Sequence, residues 1–365
     1  MREHNFTAGP AVLPHSVIKE LQEALPNFKN NGLGLMELSH RSPIFDEIIS
    51  TARLRLRRLL SVPDDYEVLF LQGGASLQFY MTALNLLSPT DCGDYINTGT
   101  WSTKAIKEAK RCSKPVCIWS PSRAEFNSTP TENDYQLTPE SHFLHYTSNN
   151  TIYGTQFSST PEVNKPLIGD MSSDICSRAV DVSKHGVIYA GAQKNLGPSG
   201  VTVVLLSPWA VERSRYIDSI RPGGLPSLLN YSLMVDKGSL FNTPNTFGIF
   251  ALERMLAWLE GLGGVSEIEK QNTKKSTMLY QILDNSDFWK PYAERRSRSQ
   301  MNVTWKITDP SLESVFVEEA SAAGLHGLKG HRSVGGLRAS IYNACPLESV
   351  EALVDFMHQF ETKNS

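Results

Sequence analysis

The sequence predicts an α/β protein: a large domain with a mostly parallel sheet flanked by helices, followed by a smaller α+β domain. Three observations carry this. Strand-like and helix-like runs alternate through residue 210, which is the pattern of βαβ units and a parallel sheet. From Asn245 the texture changes, and "FGIFALERMLAWLEGLGGVSEIEKQNTKKSTMLYQILDNS" spaces its apolar residues at helical period. A chain of 365 residues also exceeds what one hydrophobic core usually serves, so one large and one small domain are expected.

Taken in order, Tyr66-Glu67-Val68-Leu69-Phe70-Leu71 reads as a strand. Gly73-Gly74-Ala75 then turns, and Ser76 to Leu87 reads as a helix with Ser76 as its cap. Asp94 to Asn97 is a short strand before a helix from Ser102 to Arg111. "PVCIWS", "FLHYT" and "KPLIG" are three further strands, each ending in polar residues. His185 to Ala190 and Val201 to Leu206 are apolar, β-branched runs that bracket a loop of glycine and small residues. A long connecting helix follows Asn245. The second domain then offers a strand at "MNVTWKI", a helix from Ser311 to Ala323, a strand at "LRASIY" and a closing helix from Pro346 to Glu361. There is no internal repeat and no low-complexity segment.

Composition excludes several function classes. A formal net charge of −3 with 20% charged residues implies no polyanion partner, so no nucleic acid is expected. No apolar run approaches the roughly 18 residues of a membrane span. Met1 to Ser16 lacks a secretory apolar core and carries an acid. Five cysteines without a C-x-x-C pair argue against a disulfide framework or zinc cluster, and a reducing cytoplasm is the expected compartment. His142 and His145 in "HFLH" suggest core or edge positions more than a metal site, on strand spacing and the lack of a nearby carboxylate. "ERRSRS" reads as a solvated loop.

The chemistry concentrates at the strand ends. In "YAGAQKNLGPSG", Lys194 sits between two core strands, where α/β folds bind ligands and where desolvation makes an amine nucleophilic. "LQGGASLQF" is a glycine turn opening a helix; backbone geometry alone explains many such turns, and a phosphate site explains others. Asp170 ends the strand in "IGDMSS", where helix cap, structural ion pair and partner of a protonated heterocycle are all open readings. Trp101 in "TGTWSTKA" is ordinary core or a ring-stacking group. Together they meet the needs of pyridoxal phosphate: a lysine for the aldehyde, an aspartate for the ring nitrogen, a phosphate cup at Ala75 and Ser76, and an aromatic face.

At the level of motifs the chain resembles the phosphoserine aminotransferases, a branch of the class V aminotransferase family within the fold type I enzymes that bind pyridoxal phosphate. The likeness runs nearly end to end, through "FTAGPAVLP", "LSHRSPIF", "GGASLQF", "HYTSNNTIYG", "YAGAQKNLGPSG", "LFNTPNTF" and "GLKGHRSVGGLRASIYNA". It implies a large cofactor-binding domain over 16–258 with a seven-stranded sheet, and a small domain made of 1–15 and 259–365. It implies that Lys194 carries the cofactor and moves the substrate's α-proton, while Asp170 keeps the ring nitrogen protonated. Trp101 would stack on the ring and Thr151 would bond its phenolic oxygen. Ala75, Ser76 and Gln193 would hold the phosphate, joined by Asn242 and Thr243 from the second subunit of a homodimer with shared active sites. Arg338 is implied for the α-carboxylate, and His40, Arg41, His331 and Arg332 for the distal anion. The implied reaction moves an amino group reversibly between glutamate and 3-phosphohydroxypyruvate, giving phosphoserine and 2-oxoglutarate in serine biosynthesis. No metal is implied.

The chain departs from the family pattern at Ser76, where some bacterial relatives carry arginine, at Asn150 of "NNT" and at Asn245 of "NTPN". Rival readings are weaker. A cysteine desulfurase needs a mobile cysteine, and residues 318–337 hold none. An alanine–glyoxylate type aminotransferase has no use for the two His-Arg pairs, and a cofactor carrier has none for Arg338. A nucleotide-binding reading of "GGAS" lacks both a P-loop lysine and a G-x-G-x-x-G run.

Overall fold

The computed structural model describes residues 2–121 and 125–365. Seven strands form the large sheet: β1 (Glu67–Leu71), β2 (Asp94–Ile96), β3 (Val116–Trp119), β4 (Leu144–Thr147), β5 (Leu167–Asp170), β6 (His185–Gly191) and β7 (Thr202–Leu206). Their spatial order is β1-β7-β6-β5-β4-β2-β3. Pairs β6-β5, β5-β4, β4-β2 and β2-β3 are parallel, and β7 alone runs against both of its neighbours. The run Val201 to Leu206 follows β6 after a short loop with no helix between, too short for a crossover, so it must return antiparallel.

Both faces of this sheet are covered, and the strand period of two divides its residues between two cores. Val68, Phe70, Ile188, Ala190, Val203 and Leu205 face one cluster. Leu69, Leu71, Val187, Tyr189, Val204 and Leu206 face the other. The first cluster continues into the C-terminal portion through Trp289, Val303, Trp305 and Phe316. There an antiparallel sheet of β8 (Trp289–Pro291), β9 (Asn302–Ile307) and β10 (Leu337–Ser340) lies with the helices Leu312–Ala322 and Leu347–Asn364.

The amino-terminal segment belongs to that same portion. His4–Asn5 pairs in parallel with Leu325–His326. The Phe6 amide donates to the His326 carbonyl at 2.8 Å, and the Ser340 amide donates to the Phe6 carbonyl at 3.1 Å. Further along, the Ala11 amide donates to the Gln193 carbonyl at 2.9 Å, tying the segment to the loop of Lys194.

Some expected elements change. The helix after β1 spans Gly74–Leu86 with Gly73 at its N-cap, φ +87°, and no side-chain cap, so Ser76 is inside the first turn and caps nothing. The long connecting helix is two, Thr246–Gly261 and Val265–Asp284. Gly263 and Gly264 interrupt it at φ +100° and +79°, a backbone that L side chains avoid. His142 does have a carboxylate close by: Asp91 stands 3.5 Å from its Nε2, and Arg213 shares that acid. His145 lies buried, its Nε2 2.8 Å from the Tyr189 hydroxyl. Among the described residues no helix is long and apolar enough to cross a membrane.

Candidate active site

The carboxyl ends of β1, β2, β4, β5 and β6 deliver the sequence-predicted residues to one edge of the sheet, the edge where open α/β sheets bind ligands. Lys194 follows β6 in the loop 192–200. Its Nζ donates to the Thr151 hydroxyl at 2.6 Å and stands 5.6 Å from the centroid of the Trp101 ring. Thr151 follows β4, and its main chain reaches the other way: Arg338 on β10 donates from Nη1 to the Thr151 carbonyl at 3.2 Å. One residue thus holds the candidate lysine and the candidate carboxylate-binding arginine in fixed relation.

Asp170, the last residue of β5, is buried. Its Oδ1 accepts from the Ser172 amide at 3.0 Å and the Ser172 hydroxyl at 2.6 Å. Burial raises its carboxyl above the usual range, against the pull of Ser172 and Lys194. Lys194 moves the opposite way. Loss of solvation lowers its ammonium to about 8, with Arg338 adding to the fall while Asp170 and Asp174 resist it. Burial also lowers Arg338, whose Nε is buried without a partner, as is Nε1 of Trp101. His331 accepts or donates at Nδ1 to the Ser333 hydroxyl, 2.7 Å away. Its ring is held below the usual histidine range by burial, then by the charges of Arg338, Arg332 and Lys104, so these cations share one field.

Other expected residues are placed less completely by a single chain. Ala75 and Ser76 occupy the first turn of the uncapped helix Gly74–Leu86, with their amides open to an anion. Gln193 adjoins Lys194 and bonds the Ala11 amide through its carbonyl. His40 and Arg41 contact one another at 3.4 Å, and no hydrogen bond or ion pair joins either to Lys194, Asp170 or Arg338. The Thr243 carbonyl accepts from Gln72 of its own chain at 3.2 Å, and Asn242 lines a 170 Å³ cavity near Gln72 and Leu77.

The sequence reading missed a buried polar layer behind the site. Asn149 donates to Ser173 Oγ and Asn302 Oδ1, both at 2.8 Å. Asn302 donates onward to Ser340 Oγ at 2.9 Å and the Tyr342 hydroxyl at 3.1 Å, and Tyr342 donates to the Ala8 carbonyl at 2.8 Å. Asp174 accepts from Gln156 at 3.1 Å and from Ser148. The available signal was a set of polar residues, "TSNN", "SSD" and "ASIYN", directly adjoining strands otherwise built from apolar residues.

An amine driven toward its neutral form, with a carboxylate buried in the same field, suits pyridoxal phosphate, whose aldehyde needs the first and whose ring nitrogen needs the second. The fold and the site define an enzyme of that coenzyme class. The chain belongs to the class-V aminotransferase family, whose model matches residues 4–353. It is 50% identical over 363 residues to a phosphoserine aminotransferase of Desulfotalea psychrophila, covering 100% of this chain and 99% of that one. The solved phosphoserine aminotransferase of Bacillus circulans subsp. alkalophilus is 43% identical with a TM-score of 0.94, covering 100% and 99% of the two chains. A phosphoserine aminotransferase of Trichomonas vaginalis, solved with bound pyridoxal phosphate, is 34% identical with a TM-score of 0.91, covering 98% and 100%.

The residues present fit that coenzyme. Both hydrogen bonds that Asp170 accepts fall on Oδ1, so Oδ2 is available to a ring N–H. Gly9, at φ +136°, lies so close that a Cβ there would stand 3.3 Å from Cγ of Lys194, and the absence of a side chain leaves the lysine room to swing.

Proposed function

We propose that this protein transfers an amino group reversibly between glutamate and 3-phosphohydroxypyruvate, giving 2-oxoglutarate and phosphoserine, a step of serine biosynthesis. The observation that carries the reading is the group of cations around His331, of which Arg338 bonds the same Thr151 that accepts from Lys194: among the described residues, Lys104, Arg332 and Arg338 form no ion pair, and three cations without acids suit a substrate bearing a carboxylate and a second anion. The full-length likeness to phosphoserine aminotransferases supports the same assignment.

When bound, pyridoxal phosphate would supply a carbonyl to carry the amino group and a ring to serve as electron sink. Asp170 keeps a proton on the ring nitrogen, and Trp101 covers the ring and excludes water. Thr151 bonds the phenolic oxygen. Ala75, Ser76 and Gln193 hold the phosphate together with Asn242 and Thr243 of the partner subunit. Arg338 grips the α-carboxylate as a planar fork, and Thr151, which accepts from both Arg338 and Lys194, keeps that fork and the amine side by side. Lys194 Nζ takes that proton and returns it, which its lowered basicity permits near neutral pH. His331 and Arg332, with His40 and Arg41, receive the distal group.

The same reading divides the chain into a cofactor-holding domain, 16–258, and a small domain of 1–15 and 259–365; the pairing of His4–Asn5 with Leu325–His326 supports it. It also makes the enzyme a cytoplasmic homodimer. Leu228, 54% exposed, and Phe241, 39%, leave apolar surface near Asn242 for a second copy to cover. Mixing inactive Lys194→Ala protein with inactive Thr243→Ala protein is then expected to restore activity through heterodimers carrying one intact site. A fully active monomer in sedimentation excludes the shared site.

A coupled assay of the purified protein with phosphoserine and 2-oxoglutarate tests the reaction itself. In that assay Arg332→Leu is expected to lower kcat/KM for phosphoserine by about 10-fold or more, the value of a charge-assisted contact, and to affect glutamate less. Arg338→Leu should harm both substrates, since both present an α-carboxylate. Equal losses on the two substrates in Arg332→Leu would sink this division of labour.

A further inference from the structure

The helix Thr100–Ala109 carries Lys104 three positions after Trp101, which puts the two side chains on one face. The Lys104 ammonium stands 4.6 Å from the centroid of the indole. The sequence also offers Lys104 a carboxylate one turn on, Glu108, the usual solvated pair of a surface helix. Glu108 instead binds Arg111 at 2.8 Å. A glutamate that precedes its cation is the more stable order on a helix, so Arg111 wins Glu108 and Lys104 is left over the ring. Among the described residues Lys104 has no ion pair. The indole beneath it is the one that stands 5.6 Å from Lys194, and the charge of Lys104 is felt at His331 together with those of Arg332 and Arg338.

We infer that Lys104 is a specificity-determining residue for the phosphorylated substrate, meeting its distal anion from the helix that carries Trp101 while His331 and Arg332 meet it from the opposite loop. This rests on the functional reading above. A phosphate monoester carries nearly two negative charges near neutral pH and the side chain of glutamate carries one, so a single added cation favours the phosphate about twofold in Coulomb energy at equal distance. Lys104 is exposed, and its effect is correspondingly modest and screened by salt.

The test uses the cofactor-loaded enzyme and the variants Lys104→Met and Lys104→Arg, both compatible with a helix. Lys104→Met is expected to lower kcat/KM for phosphoserine about 5-fold, mostly through KM, and for glutamate about 2-fold. Lys104→Arg should restore most of the loss, and added potassium chloride should narrow the gap between wild type and Lys104→Met. No loss, or equal loss on both substrates, overturns the proposal. A wild-type enzyme inert toward phosphoserine overturns the functional reading and the proposal with it, and that outcome is visible before any variant is made.

Discussion

Replacing Lys194 by alanine is expected to abolish the visible absorbance of the cofactor-loaded protein and to lower turnover at least about 10⁴-fold, because the proposed function gives one amine both the covalent anchorage and the proton transfer. The geometry makes a substitute hard to find. Lys104 shares the Trp101 ring, but it is exposed. Lys275, which is buried, is another lysine whose ammonium falls to about 8. It is committed to the carbonyls of Ile341, Tyr342 and Cys345 at 3.2, 2.7 and 3.1 Å. Borohydride reduction of the loaded protein should therefore label Lys194 and leave Lys275 unmodified; a label on any other lysine removes the assignment. The sign of the pH effect follows from the same amine. Only neutral Nζ attacks an aldehyde, so capture of added cofactor by stripped protein should accelerate as pH rises toward about 8 and level off above it.

Asp170→Asn is expected to retain part of the cofactor binding while turnover drops by about 10²- to 10³-fold, the usual cost of removing one preorganised electrostatic contact. Asparagine keeps an acceptor for the two bonds from Ser172, so local structure has its support. What it loses is the charge. A buried carboxylate is costly unless it faces a cation, and a protonated ring nitrogen supplies one, so acid and ring stabilise each other's charged forms. The amide cannot hold that proton, and the ring becomes a poor acceptor of electrons. Near-native turnover with an unchanged melting temperature would remove Asp170 from this role.

The position of the candidate site at the strand ends was legible in the sequence because its signals are local. Lys194 lies between two apolar runs, and Asp170 closes a third, so strand periodicity alone put both at strand ends. Trp101 was harder to place, since its position in the first turn of the helix Thr100–Ala109 differs little in pattern from an interior aromatic. The direction of β7 was not legible from alternation, which reports that a strand exists and is silent on its sense. The helix break at Gly263–Gly264 was overridden by apolar spacing that continues in phase on both sides. The Asn149–Asn302–Tyr342 layer could not be read at all, because its members are more than 150 positions apart at the first step and meet only after two sheets have packed.

The amino-terminal clasp imposes an order of assembly. Residues 4–11 are made more than 300 positions before their partners at 325–326, at 340 and at Tyr342, with the loop of Lys194 in between. Closing contacts over more than 300 positions is entropically slow compared with pairing neighbours. The large sheet can form while the earliest residues wait unpaired, and the pocket wall beside Gly9 is then the final piece to be set. The same contacts tie the loop of Lys194 to both ends of the clasp, through the Ala11 amide on the Gln193 carbonyl and Gly9 beside Lys194.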